Sequence, residues 1–372
     1  MKPARWLAPS CFLLALAAAA WRAPLPAVPE FVPPPAARPD RNPAAFAAEL
    51  LPTAAPSAHA AALAELADGR IAAAWFAGTR EGAADVAVWF ATRSTGVWSA
   101  PQAIATREST TAATRAYVRK VGNPVLYAEG GRLHLWFVSV AMGGWAGSSL
   151  NHAVSNDGGA TWSPPAKLQT SPFLNISTLG RAPPVALADG GLGLPVYHEF
   201  VAKHGEWLRL GADGRIVDKV RMAHEVRTLQ PAVAAFDERH ALAILRDAGP
   251  GPGRIRVATS VDGGQHWPAA AALPLPNPNS SVTLLRLQSG RLLIAGNGAG
   301  NRNQLLLWVS DDTGKTWRLA RTVESDADEL VEFSYPALLQ ARDGRIHLAY
   351  TWRRQGIKHA EFSEAWLAGE AP

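Results

Sequence analysis

Cysteine is nearly missing from this chain: its single copy among 372 residues, Cys11, sits in an apolar stretch near the N-terminus. The remainder can therefore form no disulfide, no thiolate zinc site and no cysteine nucleophile. Long apolar runs are scarce too. The stretch from Cys11 to Ala20 follows Lys2 and Arg5 and precedes Trp21 and Arg22, the layout of an export signal and short for a membrane span. Residues 1–22 are expected to be a signal peptide or an N-terminal membrane anchor, and the protein to be exported: periplasmic or secreted, touching the inner membrane only through that anchor. Phosphate-binding glycine loops and helical DNA-reading units are absent, and the HEV and HEF phrases lack a second histidine at ligand spacing. No cofactor, metal or nucleic acid is expected.

Charge is sparse. Charged residues make up 18% against 48% hydrophobic, which suits a large buried core. The net charge is +5, but lysine and arginine are scattered among apolar runs rather than clustered, so the excess reads as a solvated surface that favours an anionic ligand over nucleic acid. Residues 23–56, rich in proline and alanine, show neither helical nor strand period and are expected to form an extended linker. The folded domain is expected over 57–372, as a monomer.

What is abundant is repetition. One phrase recurs six times: a polar or small residue, often with proline, an apolar strand, a glycine turn and a second apolar strand. It opens at Ser57, Gly122, Ala182, Gln230, Asn277 and Ser334. Its turns carry Gly69, Gly131, Gly190, Gly290 and Gly344, with Glu238 and Arg239 in the fourth copy. One four-stranded antiparallel blade per copy predicts an all-β, six-bladed propeller. A second phrase ends the third strand of several copies: SNDGGATW from Ser155, SVDGGQHW from Ser260, SDDTGKTW from Ser310, and a worn STGVWSAP from Ser94. In it the aspartate caps backbone N–H groups, a glycine takes positive φ, and the tryptophan packs between blades.

These phrases resemble the Asp boxes, or BNR repeats, of the sialidase (neuraminidase) superfamily, and the resemblance covers roughly residues 57–363. The details GTRE, GNP, NPNS, SYP and IKH are most similar to its divergent bacterial predicted-neuraminidase branch.

The start of each innermost strand and the connection leaving the second strand line a propeller's axis. The first set gives His59, Asn123, Arg181, Gln230, Asn279 or Ser280, and Tyr335. The second gives the Gly78–Asp85 loop, His198 with Glu199, Arg246 with Asp247, Asn297 with Arg302, and Arg353. Arginines meeting at an axis call for an anion, and their forked geometry matches a carboxylate. The sialidase resemblance implies that Arg80, Arg246 and Arg302 hold the carboxylate of an acidic sugar, that Tyr335 is the nucleophile, and that Asp85 is the acid/base, with Glu81 its competitor. It also implies a glutamate assisting the tyrosine, where this chain has Gln230. Glu199, Glu225 or Glu332 could take its place. The arginine that sialidases carry ahead of the first blade has no equivalent here, so Arg181 or Arg353 would complete the cluster. The implied function is an exo-acting glycoside hydrolase removing a terminal acidic sugar from a glycoconjugate. Alternatives are a uronate lyase, with Asn123 or an arginine neutralising the carboxylate and Tyr335, His198 or His59 as base, or a non-catalytic carbohydrate-binding propeller.

Overall fold

The computed structural model describes residues 4–22, 28–53, 55–171 and 175–369. Six antiparallel sheets follow one another along the chain as the blades of a propeller. The innermost pairs are Ser57–Glu65 with Ile71–Gly78, Lys120–Glu129 with Arg132–Val140, and Thr228–Ala235 with Ala241–Asp247. Thr283–Arg286 with Leu292–Asn297 and Phe333–Gln340 with Ile346–Trp352 complete the regular blades. In the third blade the inner strand is split into Leu179–Gly180 and Val185–Ala186, both pairing with Leu192–His198.

The core lies between blades rather than within one. Ile244 and Leu292 meet between blades 4 and 5, Leu293 and Leu348 between 5 and 6, and Ala74 and Leu135 between 1 and 2, each at most 1% exposed. Alternating apolar residues give each sheet two buried faces, one for each neighbour. Small side chains dominate where strands crowd the axis, as in Ala60, Ala61, Ala72, Ala73 and Ala74.

Both phrases read from the sequence take their expected forms. The five turn glycines have φ between 80° and 89°. The fourth turn uses Asp237 instead, whose Oδ1 accepts from the N–H groups of Arg239 and His240 at 2.8 and 2.7 Å. In the blade 2 Asp box, Ser155 Oγ accepts from Gly159 N–H at 2.8 Å and Asp157 Oδ1 from Thr161 N–H at 2.9 Å. A Cβ on Gly159 would lie 2.2 Å from Phe90 of blade 1, so the glycine is required by the neighbouring blade.

The N-terminal region corrects the expected linker. Residues 23–27 and 54 lie outside the described residues. Phe46–Leu50 pairs with Gly356–Phe362 as the outermost strand of blade 6, closing the ring with the start of the domain. Ahead of it, Phe31 is fully buried against Trp207 and Trp267, at ring distances of 6.0 and 6.4 Å. The chain then crosses the hairpin-turn face, with Arg38 N–H donating to the Gln288 carbonyl and Asn42 Nδ2 to that of Asp343. A short aperiodic segment gave no strand signal because its pairing is dictated by the free edge of residues 356–362, not by its own pattern. Ala4–Arg22 is a helix, and no helix among the described residues is long and apolar enough to cross a membrane.

Candidate functional site

Four inner strands, and the segment leading into that of blade 5, reach the axis through the same kink. Ala60, Asn123, Gln230, Asn279 and Tyr335 have φ of 51°, 47°, 50°, 49° and 52°. In four of these blades the ladder register slips at that point. A non-glycine residue in this region costs on the order of 1 kcal/mol or more. The cost is carried five times over because the bulge aims a side chain at the centre. Arg181 holds the corresponding place where the blade 3 strand breaks.

These residues form a chain of hydrogen bonds around the axis. Asn123 Nδ2 and Gln230 Nε2 both donate to Tyr197 Oη, at 3.3 and 3.4 Å. Arg246 donates from Nη1 to Gln230 Oε1 at 3.3 Å and from Nε to Asn279 Oδ1 at 2.7 Å. Arg302 donates to the Asn279 carbonyl at 3.1 Å and to Glu332 Oε1 at 2.9 Å. Arg354 donates to Glu332 Oε2 at 2.5 Å and to Glu81 Oε2 at 3.2 Å. The chain thus runs from blade 2 through blades 3 to 6 to the first-blade loop.

Tyr335 stands inside this ring. His59 packs on it at 4.4 Å between ring centres, and the guanidinium carbons of Arg181 and Arg302 lie 5.7 and 5.6 Å from its ring centre. Its hydroxyl has no hydrogen bond among the described residues. Arg181 is 5% exposed and forms the floor, donating to the carbonyls of Ala61, Tyr335 and Pro336 at 2.9, 2.5 and 3.1 Å. Arg181 therefore closes the axis beneath Tyr335.

The electrostatics are lopsided. Burial would raise the Glu332 carboxyl, but hydrogen bonds from Ser334 and Arg354 and the charge of Arg302 outweigh it and bring it to about 2. Burial lowers His59 to about 3 despite Glu332, so the imidazole is neutral, with Nε2 sealed from solvent. Burial drives the Tyr197 phenol well above its usual range, so it stays protonated. Arg302 and Arg354 thus share Glu332, Arg354 also reaches Glu81, and Arg246 has no carboxylate partner among the described residues, so the arginines around Tyr335 outnumber the carboxylates that pair with them.

Of the expected residues, Asn123, Gln230, Asn279, Arg246, Arg302 and Glu81 join the ring, Tyr335 stands inside it and Arg181 beneath it. His59 lies behind Tyr335, one residue before the axial Ala60. His198 faces away and stacks on His204 at 4.8 Å, while Glu199 sits 3.7 Å from Lys203; the axial residue of that strand is Tyr197. Arg353 turns outward to Asp326 at 2.6 Å, and Arg354 takes the axial place. Arg80 is exposed on the loop and outside the ring. Asp85 accepts from the Thr79 N–H at 2.8 Å and from its hydroxyl, and these bonds lower its pKa. Asp247 pairs with Arg256 at 2.9 Å, and Asn297 donates to the carbonyls of Gln304 and Phe333. Glu225 is exposed, which leaves Glu332 as the alternative glutamate within the ring. Sequence reasoning missed Arg354, Tyr197 and Lys120. The first two are neighbours of residues it chose, and the alternation of a strand was the signal that separates them.

Among the described residues, one group has metal-ligand geometry: His198, His204 and Glu206, between strands of blade 3. The Lys219 ammonium stands 3.1 Å from Glu206, where it would oppose a cation.

The family described as BNR repeat-like domain matches residues 69–348. No curated protein matches the chain in sequence. Among solved structures, a Hadza microbial sialidase, Hz136, superposes with a TM-score of 0.66 at 16% identity, over 82% of this chain and 65% of its own. A protein of unknown function from Dyadobacter fermentans gives 0.66 at 16% identity, over 85% and 97%. The intramolecular trans-sialidase from Ruminococcus gnavus, in complex with oseltamivir carboxylate, gives 0.62 at 14% identity, over 84% and 96%. At these identities the likeness establishes the fold. The chain belongs to the BNR repeat-like domain family and has the sialidase-like six-bladed propeller.

Proposed function

We propose that the cup binds a terminal acidic sugar by its carboxylate and that the protein is an exo-acting, sialidase-like glycosidase. The observation that carries this reading is the set of Arg246, Arg302 and Arg354, from three consecutive blades around Tyr335, of which Arg302 and Arg354 share Glu332 while Arg246 is held only by the neutral Gln230 and Asn279. Such an array is complete only with a further anion, and a carboxylate accepts from guanidinium forks in pairs. The closed floor made by Arg181 suits the end of a glycan chain.

In this reading Tyr335 Oη attacks the anomeric carbon, its proton passing to solvent water, while the C–O bond to the leaving group breaks. Asp85 supplies a proton to the leaving oxygen, and a water then cleaves the tyrosyl intermediate with Asp85 as base. Asp85 has to leave Thr79 first, because those hydrogen bonds hold it ionised. Gln230 is turned to Tyr197 and cannot accept the phenolic proton, so the nearby guanidinium groups stabilise the phenolate instead. In this reading the protein acts outside the cytoplasm, with residues 1–22, a basic start followed by an apolar stretch, as its export signal or anchor.

The locked Asp85, and a Tyr335 hydroxyl to which no carboxylate among the described residues is hydrogen-bonded, favour a second reading, a cup that binds the sugar without cleaving it. A uronate lyase would have to use Tyr335 as base, since His59 is sealed and His198 faces His204. The deciding experiment is turnover of sialylated and uronate-capped oligosaccharides by the wild type, Tyr335→Phe and Asp85→Asn. Free sugar released by the wild type, with a loss of more than about a thousandfold in both variants, supports the hydrolase. An ultraviolet-absorbing unsaturated product indicates the lyase, and binding without product the lectin.

A further inference from the structure

The hydrogen-bonded ring has one gap, between Glu81 of the first-blade loop and Asn123 of blade 2. Lys120 lies beside it, three residues ahead of Asn123 on the same strand and next to Gly82 of the loop. Its side chain rises from the start of the blade 2 inner strand, and the residue is only 9% exposed. Nζ lies 3.9 Å from the centre of the Trp145 ring. The indole is fixed in turn: a Cβ on Gly122 would come within 2.8 Å of its edge, and Phe76 packs at 6.2 Å. The loop passes over the ammonium so closely that a Cβ on Gly82 would be 3.5 Å from Nζ.

Around this charge there is no hydrogen bond and no ion pair among the described residues, yet Nζ is not sealed from solvent. Burial pulls its pKa below that of a free lysine, and the nearby Glu81, committed to Arg354, pulls it only partly back. A partly desolvated ammonium whose one close contact is an aromatic face is an unfinished site, because a cation–π contact does not replace the hydrogen bonds to water lost on burial. Trp145 is clamped between Lys120 and Gly122, so it aims the ammonium instead of stacking on a sugar.

The three arginines occupy blades 4 to 6, and Lys120 lies on blade 2 beside the first-blade loop that carries Glu81. We propose that Lys120 is a second anion-binding point, so that the cup selects sugars carrying a carboxylate at one end and a sulfate or phosphate ester toward the other. This rests on the acidic-sugar reading and narrows its substrate class to dianionic sugars.

The test is calorimetric affinity of the full chain for two sets of probes: N-acetylneuraminate against its 9-phosphate and 9-sulfate, and glucuronate against its 1-phosphate. The wild type is expected to bind at least one ester about tenfold more tightly than its parent sugar, and the tighter ester identifies the source of the oxyanion. Lys120→Met, which keeps the stem against Trp145, should remove that advantage and leave the parent's affinity within about twofold. Lys120→Arg should keep it. In the wild type the advantage should also shrink as salt rises from about 20 to about 300 mM, a measurement that needs no variant. Equal affinity for ester and parent in the wild type, or an advantage that survives Lys120→Met, overturns the proposal. Failure of the wild type to bind either parent or ester overturns the acidic-sugar reading beneath it.

Discussion

From blade 4 to blade 6 the polar side chains around Tyr335 are tied to their neighbours, and Glu332 is held by two arginines and Ser334. Across the cup, blades 1 and 2 offer Ala60, Phe76, Val86 and Trp145, a lysine with no ion pair among the described residues, and a loop whose Asp85 is bound to its own Thr79. One half is fixed before a ligand arrives; the other is finished by the ligand. Donors already in place lose little freedom on binding, so the arginine half supplies affinity, whereas the loop half can change during turnover. The contrast also explains why the fold tolerates Gln230: that side chain belongs to the fixed half, where hydrogen bonding to Tyr197 and Arg246 matters more than a proton.

Breaking the fixed half should have the largest effect. Glu332→Gln leaves Arg302 and Arg354 without their shared carboxylate, and stability measured by denaturant is expected to fall by about 3 kcal/mol. A variant as stable as wild type would mean that the arginines are already balanced. A finer probe compares adjacent arginines. Arg354→Met should weaken binding of an acidic sugar about thirtyfold, about 2 kcal/mol, while Arg353→Met should change it less than about twofold. Equal losses would dissolve the distinction between axial and outward residues.

That distinction marks what was legible in the sequence. The six blades, the turn glycines and the Asp boxes were readable because each is a local pattern repeated. The axial set was readable to within one residue. His59 was chosen for Ala60, His198 for Tyr197 and Arg353 for Arg354, and in a strand a slip of one residue moves a side chain to the opposite face. The left-handed residue that fixes the phase has no signature beyond a following proline in Asn123, Gln230 and Tyr335. Lys120 and the closing strand Phe46–Leu50 were illegible, since their roles depend on Trp145 and on the edge of residues 356–362, both distant in the chain.

Smaller effects sharpen the contrast between the cup and the blades around it. Two stacked histidine pairs brace the second and third strands of blades 2 and 6, His134 with His152 at 3.0 Å and His347 with His359 at 2.9 Å. Burial lowers His134 and His152 to about 4 and His359 to about 3. An unfolded histidine takes up a proton near pH 6.5 and these folded ones do not, so stability is full above that pH and is lost as pH falls toward 4. A melting temperature that declines through this window, with a shallower slope in His134→Gln, is expected. A flat profile would mean that the pairs are protonated in the fold. Least of all, Ser155→Ala removes one Asp-box hydroxyl and should cost about 1 kcal/mol of stability with sugar affinity unchanged.

The central claim is that the arginine half of the cup is built for a carboxylate. Calorimetric binding of N-acetylneuraminate and glucuronate, each beside its methyl ester, tests it without requiring turnover. The account predicts that one of the two acids binds at least about thirtyfold more tightly than its ester and that Arg302→Met removes the difference. Equal affinity for acid and ester would contradict it.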